Sequence, residues 1–277
     1  MAVLAFGSMK ASPGVSTTLH ALAAVWPEER SLLVVEADPD GGDLAARIGL
    51  SVEPGMASLA AAGRRSLVRA DIDRHTQALS RGVQLLVGNP DPEQATRELE
   101  LVGQRLAEVL PHDAPDVLID CGRLRSSSPA VPLAVGAFAT LIVCRPRVDE
   151  LQHVRAQIGR LIAQGMEPDV ILVGDRPYSA PEVEGAIGRE VVDVIADDAA
   201  TAAALAGRGG RASVVSRSPL MRSARSLAER LVAGAVRQAA DPAPPVADQS
   251  GLRFAAATEG SRASVRTSRV ASNRSGS

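Results

Sequence analysis

Lysine is almost missing from this chain. Of 30 basic residues, 29 are arginine, and the single lysine is Lys10. Aromatics are also scarce, with three Phe, one Trp and one Tyr, so any core must be built mainly from Ala, Val and Leu. There are two cysteines, Cys121 and Cys144, each inside an apolar run that reads as a buried strand, which fits structural thiols in a reducing compartment. The four histidines, His20, His75, His112 and His153, lack metal-ligand spacing, which argues against a metal site made from protein side chains alone. No apolar run approaches the roughly 18 residues needed to cross a bilayer. No charged start, apolar core and cleavage site stand at the N-terminus, so a cytoplasmic protein is expected. The formal net charge of -2 argues against nucleic-acid binding through a globally basic surface.

What is present is globular. Hydrophobic residues make up 45% of 277, enough for a substantial core in one large domain or two small ones. Short apolar runs alternate with helical patterns. Strands are expected at 3–8, 31–37, 83–88, 116–122, 139–146, 169–174 and 191–196. Most are continuous apolar runs, the pattern of parallel strands covered on both faces. Helices are expected at 16–26, 92–110, 148–165, 180–188, 198–207 and 218–238. The helix at 92–110 carries a stripe of Leu99, Val102, Leu106 and Val109, and the one at 148–165 stops at Gly165. The alternation predicts an α/β fold with a doubly wound, mostly parallel sheet of about seven strands and helices on both faces. One domain is expected over residues 1–238. Residues 239–277 are rich in Ser, Pro, Ala and Arg and read as a disordered tail; from Asp241 onward it holds five arginines against three acids.

Three segments carry candidate chemistry. The first is "GSMKASPGVSTT" at 7–18, between the first expected strand and the first helix. A phosphate loop turns backbone N–H groups inward at a helix N-terminus, where the helix dipole favours anions. The second is "VVEADPDGGDLAARIGL", in which the second strand runs into Glu36, Asp38, Asp40, Gly41 and Gly42. The third is "PDVLIDCG", four apolar residues ending in Asp120 and Gly122.

Together these resemble the MinD/ParA-like family of P-loop ATPases. From Lys10 the loop aligns without a gap on that family's deviant pattern K-G-G-V-G-K-S/T-T. The resemblance covers roughly residues 1–238. It implies that Lys10 is the family's signature lysine, that Gly14 holds the glycine position, and that Ser16 is a Mg²⁺ ligand with Thr17 continuing the helix start. It likewise implies nucleotide contacts along Lys10, Ala11, Ser12, Pro13, Gly14, Val15, Ser16 and Thr17. Glu36 and Asp38 match the family's two acidic positions, one orienting the attacking water and the other organising the loop. Asp38 and Asp120 would stand near Mg²⁺, and Asp175 or Arg176, after a later strand, would contact adenine.

The chain departs from the family where Val15 replaces the usual loop lysine and where Ala11, Ser12 and Pro13 replace small flexible residues. Pro13 also removes one N–H donor. Losing a directed cation costs on the order of 10²-fold or more in phosphoryl-transfer rate, so hydrolysis is expected to be weak or absent.

Three functions follow. One is an ATP- and Mg²⁺-dependent dimerising switch for chromosome, septum or polar-machinery positioning, with a homodimer and a partner from a positioning, pilus or secretion system. The second is a non-hydrolysing scaffold resembling TadZ/CpaE-like pilus-assembly factors. The third is a small-molecule ligase resembling dethiobiotin synthetase, for which no convincing polar substrate set appears near Ser126–Ser128. The amphipathic C-terminal membrane helix of MinD is not evident. DNA or membrane contact through the basic tail, or through Arg217, Arg222, Arg225, Arg230 and Arg237 of the last helix, would accompany recruitment to membrane, pole or nucleoid.

Overall fold

A computed structural model of the chain describes residues 1–10, 13–80, 82–112, 115–208 and 215–240. Ala11, Ser12 and residues 241–277 of the expected tail lie outside the described residues, while Ala239 and Ala240, expected in the tail, continue the last helix. The described strands are β1 Val3–Ser8, β2 Leu32–Glu36, β3 Gln77–Ser80, β4 Val83–Leu86, β5 Asp116–Arg123, β6 Ala139–Cys144, β7 Pro168–Val173 and β8 Val191–Ile195. They form one sheet in the order β3-β4-β2-β5-β1-β6-β7-β8. Every pairing is parallel except the antiparallel edge pair β3–β4.

The seven apolar runs all form strands. The eighth, β3, escapes the pattern because it is a four-residue edge strand with alternating half-buried and exposed side chains. The described helices are α1 Val15–Val25, α2 Leu44–Ile48, α3 Met56–Ala62, α4 Arg69–Arg74, α5 Pro92–Val109, α6 Val131–Gly136, α7 Val148–Ile162, α8 Ala180–Ile187, α9 Ala199–Leu205 and α10 Pro219–Ala240. The four short helices α2, α3, α4 and α6 were not expected as helices from periodicity. At five to seven residues they are too short to display it.

Alternate side chains along the strands feed two apolar layers. Ala5, Val35, Ile119 and Leu172 pack beneath α3, α5, α6, α7 and α8. Leu4, Phe6, Val34 and Leu118 pack beneath α1, α2 and α10 on the other face. Helix α5 begins with Pro92 at its first turn, and Asp91 Oδ1 accepts the N–H groups of Glu93 at 2.9 Å and Gln94 at 3.0 Å. Its buried stripe is Leu99, Val102 and Leu106; the expected Val109 is only half-buried, and Leu110 takes the last buried place. Helix α7 ends at Ile162, and the turn that follows closes at Gly165 with φ 89°. In α10, Leu220, Leu227 and Leu231 are buried and Val232 is half-buried against the same layer.

The topology positions the candidate site. Because β5 lies between β1 and β2, and all three run parallel, their C-terminal ends meet on one edge. Asp120 sits level with Glu36 on one neighbour and Phe6 on the other. Loops after β1, β2 and β5 therefore converge at the edge where α/β sheets bind ligands.

The opposite edge is tied by Asp116. This carboxylate, 2% exposed, accepts the Ala2 N–H at 2.9 Å, Trp26 Nε1 at 3.1 Å and Arg30 Nη2 at 2.7 Å. Burial alone would raise its pKa, but the Arg30 guanidinium with the Ala2 and Trp26 donors outweighs it and holds the carboxyl below the usual range. A depressed carboxyl contributes stability above its unfolded pKa, about 3.9, and loses it as pH falls through the folded value. Asp116→Asn is expected to lower unfolding stability by about 2–4 kcal/mol at pH 7 and to shrink the acid loss below pH 4. Urea unfolding of both proteins across pH 3 to 7 checks this.

Candidate functional site

Strand β1 delivers the chain to a loop that reverses into α1. Gly14 takes φ 110° and ψ 26°, a left-handed conformation natural to glycine. Its carbonyl accepts the Thr18 N–H at 2.8 Å and opens the helix. Gly14, as N-cap, offers no side chain to cap α1, no capping side chain comes from the other described residues, and the first turn contains no acidic residue. The first-turn N–H groups and the positive end of the dipole are therefore left for a ligand or water.

Residues Pro13 to Thr17 line one wall of a cleft of about 330 Å³. Ser8, Gly122 and Arg123 come from the ends of β1 and β5, while Asp38, Asp40, Asp43 and Arg47 come from the turn after β2 and from α2. Of the expected phosphate-loop residues, Ala11 and Ser12 lie outside the described residues. Val15 is 6% exposed and packs into the apolar layer with Leu19 and Leu22, so its side chain serves the core as well as the cleft wall. Lys10 does not line this cleft. Its ammonium pairs with Asp149 in the first turn of α7, and both side chains remain substantially exposed.

The acidic residues separate into different roles. Glu36 is 2% exposed and lies beneath the turn rather than in the cleft. Its Oε1 accepts the N–H groups of Asp43 at 2.7 Å and Leu44 at 2.8 Å, and its Oε2 accepts that of Gly88 at 2.9 Å. Burial raises its pKa against the pull of these donors. Gly42 is required here, because a Cβ would fall 2.5 Å from Glu36 Oε2. Both Glu36 oxygens are thus taken up in bracing the turn.

Asp38 lines the cleft, and its Oδ1 accepts the Asp40 N–H at 2.9 Å. Gly122, at φ 54°, leaves room for it: a Cβ there would lie 1.9 Å from Asp38 Oδ1. Burial, then the nearby charges of Asp120, Asp40 and Asp43, push the Asp38 carboxyl up to about 6 despite the Asp40 N–H. Asp120 is fully buried. Its Oδ1 accepts the Gly122 N–H at 2.9 Å, while Oδ2 makes no well-formed hydrogen bond to a described residue. Burial raises it to about 6, the neighbouring Ser16 hydroxyl and Gly122 N–H pull it down, and Glu36 and Asp43 add to the rise.

Crowded carboxylates with an unsatisfied buried oxygen are the environment a cation relieves. The donor set of Ser16, Asp38 and Asp120 is oxygen only, which suits a hard ion such as Mg²⁺. Among the described residues no group of three or more His, Cys, Asp and Glu is arranged to hold a metal by itself. A divalent ion here would need ligand oxygens from something else in the cleft.

Asp175 and Arg176 are not in this cleft. They are exposed at the end of β7 in an adjoining open groove of about 1380 Å³, with Arg145, Arg147, Asp149 and Asp197. A Cβ on Gly14 would come within 4.0 Å of Val173, so the loop abuts the strand that leads into the groove. Arg47 and Arg123 were not singled out from the sequence, yet both line the cleft. The available signals were faint: Arg47 follows Asp43 by four residues, and Arg123 directly follows the D-x-G pattern.

Known structures share this architecture. The structure of a ParA family ATPase from Chlorobium tepidum TLS matches with a TM-score of 0.70 and 21% identity, over 82% of this chain and 98% of that one. The septum site-determining protein MinD from Pyrococcus horikoshii OT3, complexed with Mg-ADP, matches at 0.68 and 18% identity, over 84% and 98%. A putative plasmid partition protein from Borrelia burgdorferi B31 bound to AMPPNP matches at 0.64 and 7% identity, over 84% and 99%. No protein-family model and no curated protein matches the sequence. The chain has the MinD/ParA-like P-loop ATPase fold, as the three motifs implied.

The raised carboxyl of Asp38 has a sign that can be checked. An acid whose folded pKa lies above its unfolded value stabilises the fold at low pH, and that contribution is lost as pH rises through the folded value, here between about 4 and 6. Without divalent cation, Asp38→Asn is expected to raise stability at pH 7 by about 1–2 kcal/mol, discounted for partial exposure, and to flatten the profile between pH 4 and 6. Thermal unfolding in chelator across that range reads both effects.

Proposed function

We propose that the chain is a nucleotide-binding switch of MinD/ParA type, whose cleft takes the phosphates of ATP with Mg²⁺ and whose bound state favours a homodimer. The observation that carries this reading is the convergence, on one sheet edge, of an α1 N-terminus not capped by any described side chain with Ser16, Asp38 and the buried Asp120, whose Oδ2 makes no well-formed hydrogen bond to a described residue. Structural neighbours have been solved with Mg-ADP and with AMPPNP. In this reading Gly14 and the α1 N–H groups receive the phosphates, and Ser16, Asp38 and Asp120 hold the cation directly or through water. The groove at Asp175 and Arg176 accommodates the nucleoside. When bound, Mg²⁺ would neutralise phosphate charge.

Two features set the rate low. Val15 brings no cation to the transferring phosphoryl group, and Glu36, with both oxygens on backbone N–H groups, is not available to orient water. Of Glu36 and Asp38, only Asp38 then faces the cleft. Lys10 rests on Asp149 in a solvent-screened, exposed pair, so it leaves at little cost for the nucleotide of a second subunit.

The buried Val15 also favours a second reading, a scaffold of the same fold whose interactions ignore nucleotide. In either case the partner belongs to a positioning, partition or pilus/secretion system. The segment from residue 241 and the exposed Arg222, Arg225 and Arg230 of α10 are the candidate contacts to DNA or lipid. Among the described residues no helix is long and apolar enough to cross a membrane.

Equilibrium binding of a fluorescent ATP analogue with Mg²⁺, combined with light scattering, separates the two. Binding in the micromolar range with nucleotide-dependent dimerisation that Lys10→Ala abolishes is expected, with turnover at least 10²-fold below that of an ATPase with the loop lysine. No binding at millimolar nucleotide would leave the scaffold alone.

A further inference from the structure

The phosphate loop brings no cation into its own cleft, since Val15 is apolar and Lys10 pairs with Asp149 outside it. Two cations enter from elsewhere: Arg47 from α2 and Arg123 from the end of β5. Each faces one acid of the turn after β2, but the two pairs differ. Arg47 is engaged, with Nη2 donating to Asp43 at 2.6 Å and Nη1 to Thr17 Oγ1 at 3.3 Å. Arg123 is not: its Nε stands 3.8 Å from Asp40 Oδ2, too far for a hydrogen bond, and is buried without a hydrogen-bond partner among the described residues. Arg123 thus lines the cleft with a donor unmet among the described residues, three residues along β5 from the fully buried Asp120, whose Oδ2 also lacks a hydrogen-bond partner among them. A polyphosphate would offer the guanidinium an anionic oxygen, and a divalent cation carried with it would offset the crowded carboxylates.

We propose that Arg123 is the phosphate-clamping residue of this chain, supplying from β5 the positive charge that the loop lost at Val15, and that Asp40 is its resting counter-ion, displaced when a polyphosphate enters. This rests on the cleft being a phosphate site, as in the nucleotide reading, and adds which side chain clamps the anion and which carboxylate competes with it. Arginine suits the task because its planar fork binds two phosphate oxygens at once. Asp40 is also more than half exposed, so rotating it into solvent costs little.

The test uses the full chain in low salt with Mg²⁺ and two probes, a fluorescent ATP analogue and inorganic triphosphate, titrated into wild type, Arg123→Ala, Arg123→Lys and Asp40→Asn. Thermal unfolding confirms that each variant is folded. Arg123→Ala is expected to weaken both probes about tenfold or more, the loss of a charge-assisted bidentate contact, with Arg123→Lys between it and wild type. Asp40→Asn removes the competitor and is expected to tighten both probes severalfold. Its exposed position keeps the test valid if Arg123→Ala fails to fold. Wild-type affinity in Arg123→Ala, or weaker binding in Asp40→Asn, would overturn the clamp while leaving the nucleotide reading intact. Triphosphate binding without nucleotide binding, still dependent on Arg123, would support the clamp and overturn the nucleotide reading. Failure of wild type to bind either probe would overturn both.

Discussion

The site depends on one buried carboxylate. Glu36 leaves the end of β2 and gathers the N–H groups of Asp43, Leu44 and Gly88, fixing the acidic turn, the start of α2 and the end of β4 relative to one another. Desolvating a carboxylate is costly, and three backbone donors offset that cost. With the turn fixed, Asp38, Asp40 and Asp43 line the same cleft as the α1 N-terminus. Gly42 and Gly122 are the spaces that allow this, the first admitting Glu36 and the second Asp38.

The consequence is a cleft with a charge conflict. Carboxylates crowd beside a helix N-terminus that itself attracts anions, and the conflict is expressed as raised pKa values on Asp38 and Asp120. A tight strand-to-helix turn does not need it, because a carboxylate whose pKa is raised by folding detracts from stability at neutral pH. In the function proposed, the conflict would be resolved by a divalent cation at the acids and a polyanion at the helix dipole and the arginines. Arg30 and Asp116 at the opposite edge show how the same fold satisfies a buried acid that has only a structural task.

Much of this was legible from the residues. Continuous apolar runs gave seven of the eight strands and the doubly wound class, because burial on both faces leaves that signature. The order of the loop, the acidic turn and the Asp120–Gly122 pair placed three motifs on the edge where they meet. Two kinds of information were hidden. Glu36 and Asp38 are two residues apart and look equivalent in a D-x-D-like pattern, but only packing decides that one braces backbone while the other faces the cleft. Arg47 and Arg123 are two among 29 arginines, and nothing in a string of letters marks those whose guanidinium lines a cleft. Helices as short as α2 and α6 carry too little period to be read.

The central claim is that Asp38 and Asp120 wait for a cation delivered with a polyphosphate. Calorimetric titration of Mg²⁺-nucleotide at pH 6, repeated in buffers of different ionisation enthalpy, counts the protons released on binding. With both carboxyls near half-protonation at that pH, release of about one proton per site is expected, falling towards zero at pH 8. Binding with no proton release at pH 6, or with uptake, would contradict the account.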